Sequence, residues 1–341
     1  MEKLNYLDVT IHIESSYQNA VKWLDLEERQ TVFLVDDNVF TFWGHLFENQ
    51  KVILIPSGEA QKSLSFAEVI IEQLIDHGLD RHSQLVGVGG GVVCDLTGFI
   101  ASVFMRGIRF TLVPTTLLSM TDAAIGGKNG VNTQQYKNMI GLINQPWMIL
   151  CATSFLSTLP KDELINGLAE SIKHACIQSA ALFNFIEANL TKILSLEEEV
   201  IGELIQKSAN IKCEIVEKDP TEKHLRKTLN YGHTFGHAIE KAYKIPHGKA
   251  ISLGMIIANS IACQRNQLTQ QTSDKVCNLL SAAGLPVDIS VIDMEKLTRY
   301  VKKDKKKKGD TLDMIFIEEI GKISINSVSF EELLALEKEV I

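Results

Sequence analysis

Gly87–Asp95, GVGGGVVCD, joins an apolar strand to a helix through three consecutive glycines. Its glycines close an apolar run and precede a helix-compatible segment, so the turn brings backbone N–H groups to a helix N-terminus, where a pyrophosphate can be met. The alternative is a tight strand-to-helix turn, because the run is not G-x-G-x-x-G followed by a clean ribose-binding acid. Its surroundings keep one cadence. Apolar, β-branched runs at 31–37 (TVFLVDD), 51–57 (KVILIPS), 84–91 (QLVGVGGG) and 109–115 (RFTLVPT) alternate with helical periodicity at 65–77 and 92–104. That alternation predicts an α/β N-terminal dinucleotide-binding domain with a largely parallel sheet, its ligand at the strand ends.

From about Ser154 the β-rich runs cease, and helical periodicity occupies 161–178, 197–218, 228–243, 247–266, 273–283 and 293–303. The expected division is an α/β domain over 1–153 and a mainly α-helical metal- and substrate-binding domain over 154–341. Within the latter, TLDMIFI and KISIN predict a short hairpin, and SFEELLALEKEV a terminal helix.

A chain of 341 residues exceeds one small core and fits two domains. The formal charge of −8 argues against general nucleic-acid binding, and no apolar run is long enough to span a bilayer. The N-terminus lacks the pattern of a secretion signal, so a cytoplasmic protein is expected. Six cysteines without C-x2-C spacing read as reduced core residues. The basic run Lys302–Lys308 reads as a solvated helix end.

Arg226–Gly248, RKTLNYGHTFGHAIEKAYKIPHG, concentrates the chemistry. His233 and His237 are four apart and would share a helical face, while Pro246 re-aims the chain so that His247 can return toward His233. A further ligand must come from elsewhere, and Glu170 in GLAESIKHA is the best candidate. Mixed oxygen and nitrogen donors with an open position suit a catalytic zinc. A surface histidine pair is the bland alternative. In the first half, Asp36 and Asn38 end a strand where ribose hydroxyls can be bound, and Glu59 and Lys62 follow another. The stretch 113–132 gathers Thr115, Thr116, Asp122, Lys128 and Asn132 with several glycines in a loop-prone segment. Lys128, Lys173, Lys212 and Arg226 are cations on separate segments whose convergence would define an anion site.

The runs GGGVVCDLTGF, MRGIRFTLVPTTLLSMTDAAIGGKNGVN, KNMIG, GLAESIKH, LRKTLNYGHTFGHAIE and HGKAISLGM, in order over roughly residues 30–320, resemble 3-dehydroquinate synthase of the shikimate pathway, a sugar-phosphate cyclase. The resemblance implies an NAD- and metal-dependent lyase, usually a zinc enzyme with cobalt as an alternative, often a homodimer. Its implied reaction converts 3-deoxy-D-arabino-heptulosonate 7-phosphate to 3-dehydroquinate and phosphate. Hydride leaves to NAD, phosphate is eliminated, hydride returns, and an intramolecular aldol step closes the ring.

By motif, the resemblance assigns the metal to Glu170, His233 and His247, and moves His237 to the substrate, replacing the helical-pair reading. Its NAD-contacting positions are Asp36, Asn38, Glu59, Lys62, Gly90, Gly91, Val92, Asp95, Thr115, Thr116, Asp122, Lys137, Phe155, Thr158, Leu159 and Glu163. Its substrate positions are Arg106, Lys128, Asn138, Lys173, Lys212, Glu222, Arg226, Asn230, His237 and a lysine after Asp304, Lys305 ahead of Lys306. Lys212 and Arg226, helped by Lys305, are expected at the substrate's carboxylate, with Lys128 and Asn138 at its phosphate. Four positions depart from the family pattern: Cys94 for glycine, Asn129 for threonine, Tyr231 for an aliphatic residue and Lys249 for glutamate. Rival readings are a cyclase making an inosose or valiolone, a metal-dependent polyol or alcohol dehydrogenase, and a silent metal-binding scaffold.

Overall fold

The computed structural model describes residues 2–134, 136–305, 311–330 and 333. The chain groups into two compact units, one of residues to Leu164 with Leu196–Thr221, the other of Ile165–Ser195 with residues from Glu222 on. The sequence reading divides the chain after 153. The contact division falls inside a helix instead, and returns one later helix to the first unit.

In the first unit the strands are β1 (Glu2–Tyr6), β2 (Val9–Glu14), β3 (Thr31–Asp36), β4 (Lys51–Ile55), β5 (Gln84–Gly89), β6 (Arg109–Pro114), β7 (Lys128–Val131), β8 (Ile140–Ile143) and β9 (Met148–Ala152). Its helices are α1 (Tyr17–Ala20), α2 (Asp37–Trp43), α3 (Leu64–Asp76) and α4 (Gly91–Val103). Seven strands form one sheet in the order β1-β2-β9-β6-β5-β3-β4, parallel except for the β1–β2 pair. Every residue of β5 is buried, as a strand covered on both faces requires. From β3 the chain steps outward to β4, then crosses back to β5 on the other side of β3. That reversal is a topological switch point, and it lies beside the carboxyl ends of Asp36 and Gly89. α4 seats closely on the sheet, because a side chain at Gly87 would overlap Thr97.

The expected strands and the helices at 65–77 and 92–104 all form, so the α/β reading holds. The sequence reading lacks β1, β2 and β9, which complete the sheet. Stretch 113–132 is more ordered than expected: after β6 it makes a π-helical turn at Ser119–Ala123 and then β7, paired antiparallel with β8.

α5 (Lys161–Gln178) carries the chain from one unit to the other. α6 (Ala180–Leu194), which the sequence reading lacks, belongs to the second unit, and α7 (Glu198–Lys218) to the first, where it packs against β1, β2 and the Ser119–Ala123 turn. The second unit continues with α8 (His233–Tyr243), α9 (His247–Gln264), α10 (Gln270–Ala282), α11 (Met294–Lys305) and the antiparallel hairpin β10 (Thr311–Glu319) and β11 (Lys322–Ser329). The hairpin is as expected. Of the expected terminal helix, Phe330 and Leu333 are helical and the rest lies outside the described residues.

The periodic segment 228–243 is not one helix. A 3₁₀ segment, Leu225–Asn230, stops before Gly232, which adopts φ 77° and opens α8 at His233. A side chain at Gly232 would meet both that strained backbone and Met255 of α9. α8 and α9 pack so closely that a Cβ at Gly254 would overlap the Gly232 carbonyl.

Candidate active site

In the second unit, Glu170, His233 and His247 each turn one ligand atom inward, all within 4.8 Å of one another. Three helices supply them. Glu170 lies in α5 with its side chain fully buried, and the two histidines are the first residues of α8 and α9. Nε2 of His233 is 3.6 Å from Glu170 Oε1, and Nε2 of His247 is 3.4 Å from the same oxygen. The opposite ring nitrogens are engaged: His233 Nδ1 faces the Tyr231 carbonyl at 3.2 Å, and His247 Nδ1 faces Glu240 Oε2 at 3.0 Å. An Nδ1–H held by an acceptor leaves the Nε2 lone pair for a cation, as metal-binding histidines require.

The donor chemistry fits a divalent ion: one carboxylate and two imidazoles. Burial, then the charge of Lys173, holds His233 well below the usual histidine range, keeping its imidazole neutral. For His247 burial acts downward, but hydrogen bonds and charge from Glu170 and Glu240 outweigh it and raise the group to about 9. Lys173, one turn along α5, is ion-paired with Glu170 and is itself only 1% exposed.

The α9 end of this cluster is latched to α5. The Gly248 N–H donates to Asn166 Oδ1, and a Cβ at Gly248 would overlap the Asn166 backbone. His237 shares α8 with His233, ring centroids 5.1 Å apart, but it is exposed and outside the Glu170 cluster. The helical-pair geometry exists; the convergence is of His233 with His247. Nearby, Asn230 Nδ2 donates to Glu222 Oε1 at 2.8 Å, and Arg226 is buried at 2% exposure. Lys305 closes α11, but its side chain and all of Lys306 lie outside the described residues.

The first unit holds the other candidate positions. At the end of β3, Asp36 caps α2 through the Asn38 N–H at 3.0 Å, and Ser57 Oγ donates to Asp36 at 2.8 Å. Asn38 Nδ2 donates to Ser57 at 2.7 Å, joining the β3 and β4 ends in one polar network. Across the switch point, Gly90 caps α4 without a side-chain hydrogen bond, and Gly91 and Val92 open the helix. Thr115 N–H donates to the Gly89 carbonyl at 2.9 Å, and Thr116 pairs with Ser119 at 2.8 Å. These groups line the carboxyl ends of β3, β5 and β6, where a nucleotide's ribose and phosphates can be met.

Lys62, 4% exposed, is ion-paired with Asp95 of α4 and also donates to Asn138. Burial raises Asp95 to about 6 against the opposing charge of Lys62. Glu59 accepts from Asn132 Nδ2 at 2.8 Å, and Asn132 Oδ1 accepts from the Asn138 N–H at 2.8 Å. Lys212 of α7 pairs with Asp122 at 2.7 Å. Phe155 is buried against Trp43, whose Nε1 donates to Thr158 at 2.9 Å; Leu159 ends that turn and Glu163 lies in the first turn of α5. Arg106, Lys128 and Lys137 are exposed. Arg106 (φ 67°), Asn138 (φ 54°) and Glu222 (φ 59°) all hold left-handed backbone, a cost that recurs at functional positions.

Glu240, Asn166, Ser57 and the Tyr231 carbonyl are absent from the sequence reading. Glu240 reaches His247 across the proline-broken link between helices, and no spacing rule spans such a break. Among the described residues no helix is long and apolar enough to cross a membrane.

Together these features define a two-unit protein, an α/β unit with a switch-point crevice and a helical unit carrying a candidate cation site. Residues 52–166 match the family model described as 3-dehydroquinate synthase N-terminal, and 167–307 the one described as 3-dehydroquinate synthase C-terminal. A 3-dehydroquinate synthase of Thermoanaerobacter pseudethanolicus is 39% identical over 288 residues, covering 84% of this chain and 81% of the relative. The chain belongs to the 3-dehydroquinate synthase family, within the sugar-phosphate cyclase superfamily.

Among solved structures, a 2-deoxy-scyllo-inosose synthase complexed with carbaglucose-6-phosphate, NAD+ and Co2+ superposes with a TM-score of 0.87 at 25% identity, covering 99% of each chain. A 2-epi-5-epi-valiolone synthase from Streptomyces hygroscopicus subsp. jinggangensis, with NAD+ and Zn2+ bound, shares the fold at a TM-score of 0.86 and 23% identity, covering 100% of this chain and 98% of that one.

Proposed function

We propose that this chain is a 3-dehydroquinate synthase, a lyase that converts 3-deoxy-D-arabino-heptulosonate 7-phosphate to 3-dehydroquinate and phosphate. The carrying observation is the Glu170–His233–His247 cluster, built around a buried carboxylate, with Lys173 ion-paired at its edge, because the reaction needs a cation for the substrate's hydroxyls. When bound, NAD accepts a hydride reversibly, and a divalent ion, zinc or cobalt, supplies Lewis acidity toward the substrate's hydroxyls.

The chain's own residues bind and orient. Glu170, His233 and His247 hold the ion. Asp36, Asn38, Glu59, Lys62, Asp95, Thr115, Thr116, Asp122 and the Gly90–Val92 turn hold the dinucleotide, with Lys137, Phe155, Thr158, Leu159 and Glu163 contributing to the same site. Arg226 and Lys212, helped by Lys305, take the substrate's carboxylate, while Lys128, Asn138 and other cations serve its phosphate, and Lys173 is a further substrate position. Arg106, Glu222, Asn230 and His237 complete the substrate's contacts. The support is motif by motif. The nucleotide-binding role of the first unit and the metal- and substrate-binding role of the second belong to this proposal, as does a cytoplasmic homodimer. Six free cysteines support a reducing compartment.

A second reading, a cyclase acting on a different sugar phosphate, is favoured by the likeness to inosose and valiolone synthases. Turnover of the heptulosonate phosphate should be compared with that of a sugar 7-phosphate lacking the carboxylate. The proposal expects strong preference for the first, and Lys212→Ala or Arg226→Ala should erode it by roughly tenfold to a hundredfold through a lost charge-assisted hydrogen bond. Equal wild-type turnover of both substrates would favour the second reading.

A further inference from the structure

We propose that Glu240 is a positioning residue for the cation site: its carboxylate fixes the tautomer and ring orientation of His247 and so delivers Nε2 to the ion. The inference rests on the reading of Glu170, His233 and His247 as a cation site.

The geometry is specific. Glu240 Oε2 lies 3.0 Å from His247 Nδ1, while Nε2 on the far side of the same ring lies 3.4 Å from Glu170 Oε1. An imidazole has two ring nitrogens, and a carboxylate at one of them holds the proton there and leaves the other as the donor. The Glu240 side chain is 19% exposed, so the contact is partly shielded from water. The two histidines are oriented by unlike partners, His233 by the neutral Tyr231 carbonyl and His247 by a charged group.

Electrostatics give a reason for the charge. His233 and His247 each open a helix, of 11 and 18 residues, so the positive ends of two helix dipoles lie at the cluster. Lys173 is buried against Glu170, and Lys249 stands in the first turn of α9, two residues beyond His247. Glu170 alone would set one negative charge against these and an incoming dication. Glu240 adds a second without occupying a coordination position. Being anchored on α8, it also ties the first residue of α9 back to the preceding helix across Lys244, Ile245 and Pro246.

The test is cobalt and zinc affinity, by competition with a chromophoric chelator, for wild type, Glu240→Gln, Glu240→Ala and His247→Ala, with the visible spectrum of bound cobalt as a second readout. Loss of an outer hydrogen-bonding partner of this kind weakens metal binding by roughly tenfold to a hundredfold. That loss is expected for Glu240→Ala, with an altered cobalt spectrum. Glu240→Gln keeps an acceptor for Nδ1–H but loses the charge, and should fall between wild type and Glu240→Ala. If Glu240→Ala fails to fold by circular dichroism, Glu240→Gln decides on its own. Glu240 variants that bind like wild type, while His247→Ala loses the ion, would overturn the positioning role and leave the cation site standing. Wild type binding no more ion than His247→Ala would overturn the cation site, and the inference with it.

Discussion

Lys173 and Glu170 form an ion pair one helical turn apart on α5, with side chains 1% and 0% exposed. Breaking a buried pair from one side strands the other charge, at a cost of about 3–5 kcal/mol. Lys173→Met should therefore lose about that much stability in chelator, and added zinc should recover part of it, because a dication then faces Glu170. Urea melts with chelator and with zinc measure both. An equal loss under the two conditions would separate Glu170 from the ion.

Gly248 is the point at which α9 touches α5. Its N–H donates to Asn166 Oδ1, and a Cβ would overlap the Asn166 backbone. Gly248→Ala should destabilise the fold by about 1–3 kcal/mol through overpacking. It should also move His247 away from Glu170 and weaken cobalt binding by roughly tenfold. Chemical denaturation and a cobalt titration report the two effects. Unchanged cobalt affinity would show that the latch does not set ligand spacing.

Asp95 gives a pH dependence with a definite sign. Burial lifts it to about 6, above the ordinary value of about 3.9, although Lys62 opposes the shift. The folded chain therefore takes up a proton between about pH 6 and pH 4 that the unfolded chain does not. This group's contribution to stability grows as pH falls through that window and is lost as pH rises through the folded value. Wild type should gain on Asp95→Asn between pH 7 and pH 5 in paired urea midpoints. A gap independent of pH would contradict the shift.

Cysteine reactivity should divide four to two. Cys94, Cys151, Cys176 and Cys213 are buried, whereas Cys263 and Cys277 are partly exposed. Burial pushes the Cys176 and Cys213 thiols up to about 12, and Cys94 and Cys151 further in the same direction. The thiolate is the reactive form, so a thiol reagent at pH 8 should modify Cys263 and Cys277 first, and the others after unfolding. Peptide mapping checks the assignment. Early modification of Cys94 would contradict the packing of α4.

The parallel sheet was legible because buried strands such as Val32–Val35 and Leu85–Val88 are continuous apolar runs, with glycine marking where β5 turns into α4. β1 and β2 were not: β1 is the largely exposed edge strand, and in β2 the polar Thr10, His12 and Glu14 alternate with Ile11 and Ile13 although His12 and Glu14 are buried, so the sequence shows no apolar run. α6 was hidden between two stronger helical patterns. At the cation site, the histidine spacing in α8 is a local property of a helix, but the meeting of His233 with His247 depends on Gly232 and Pro246 redirecting the chain. Glu170 entered through its motif rather than through any spacing. Glu240 and Asn166 were illegible for the same reason: their contacts cross helix boundaries, and periodicity carries no information past a break.

The decisive assay supplies the heptulosonate phosphate with zinc and substoichiometric NAD and follows phosphate, dehydroquinate and NADH absorbance together. Phosphate and dehydroquinate should appear in equal amounts, many times the NAD supplied, with no accumulation of NADH and with activity abolished in His247→Ala. NADH rising in step with substrate consumed, or substrate consumed without phosphate release, would contradict the proposed function.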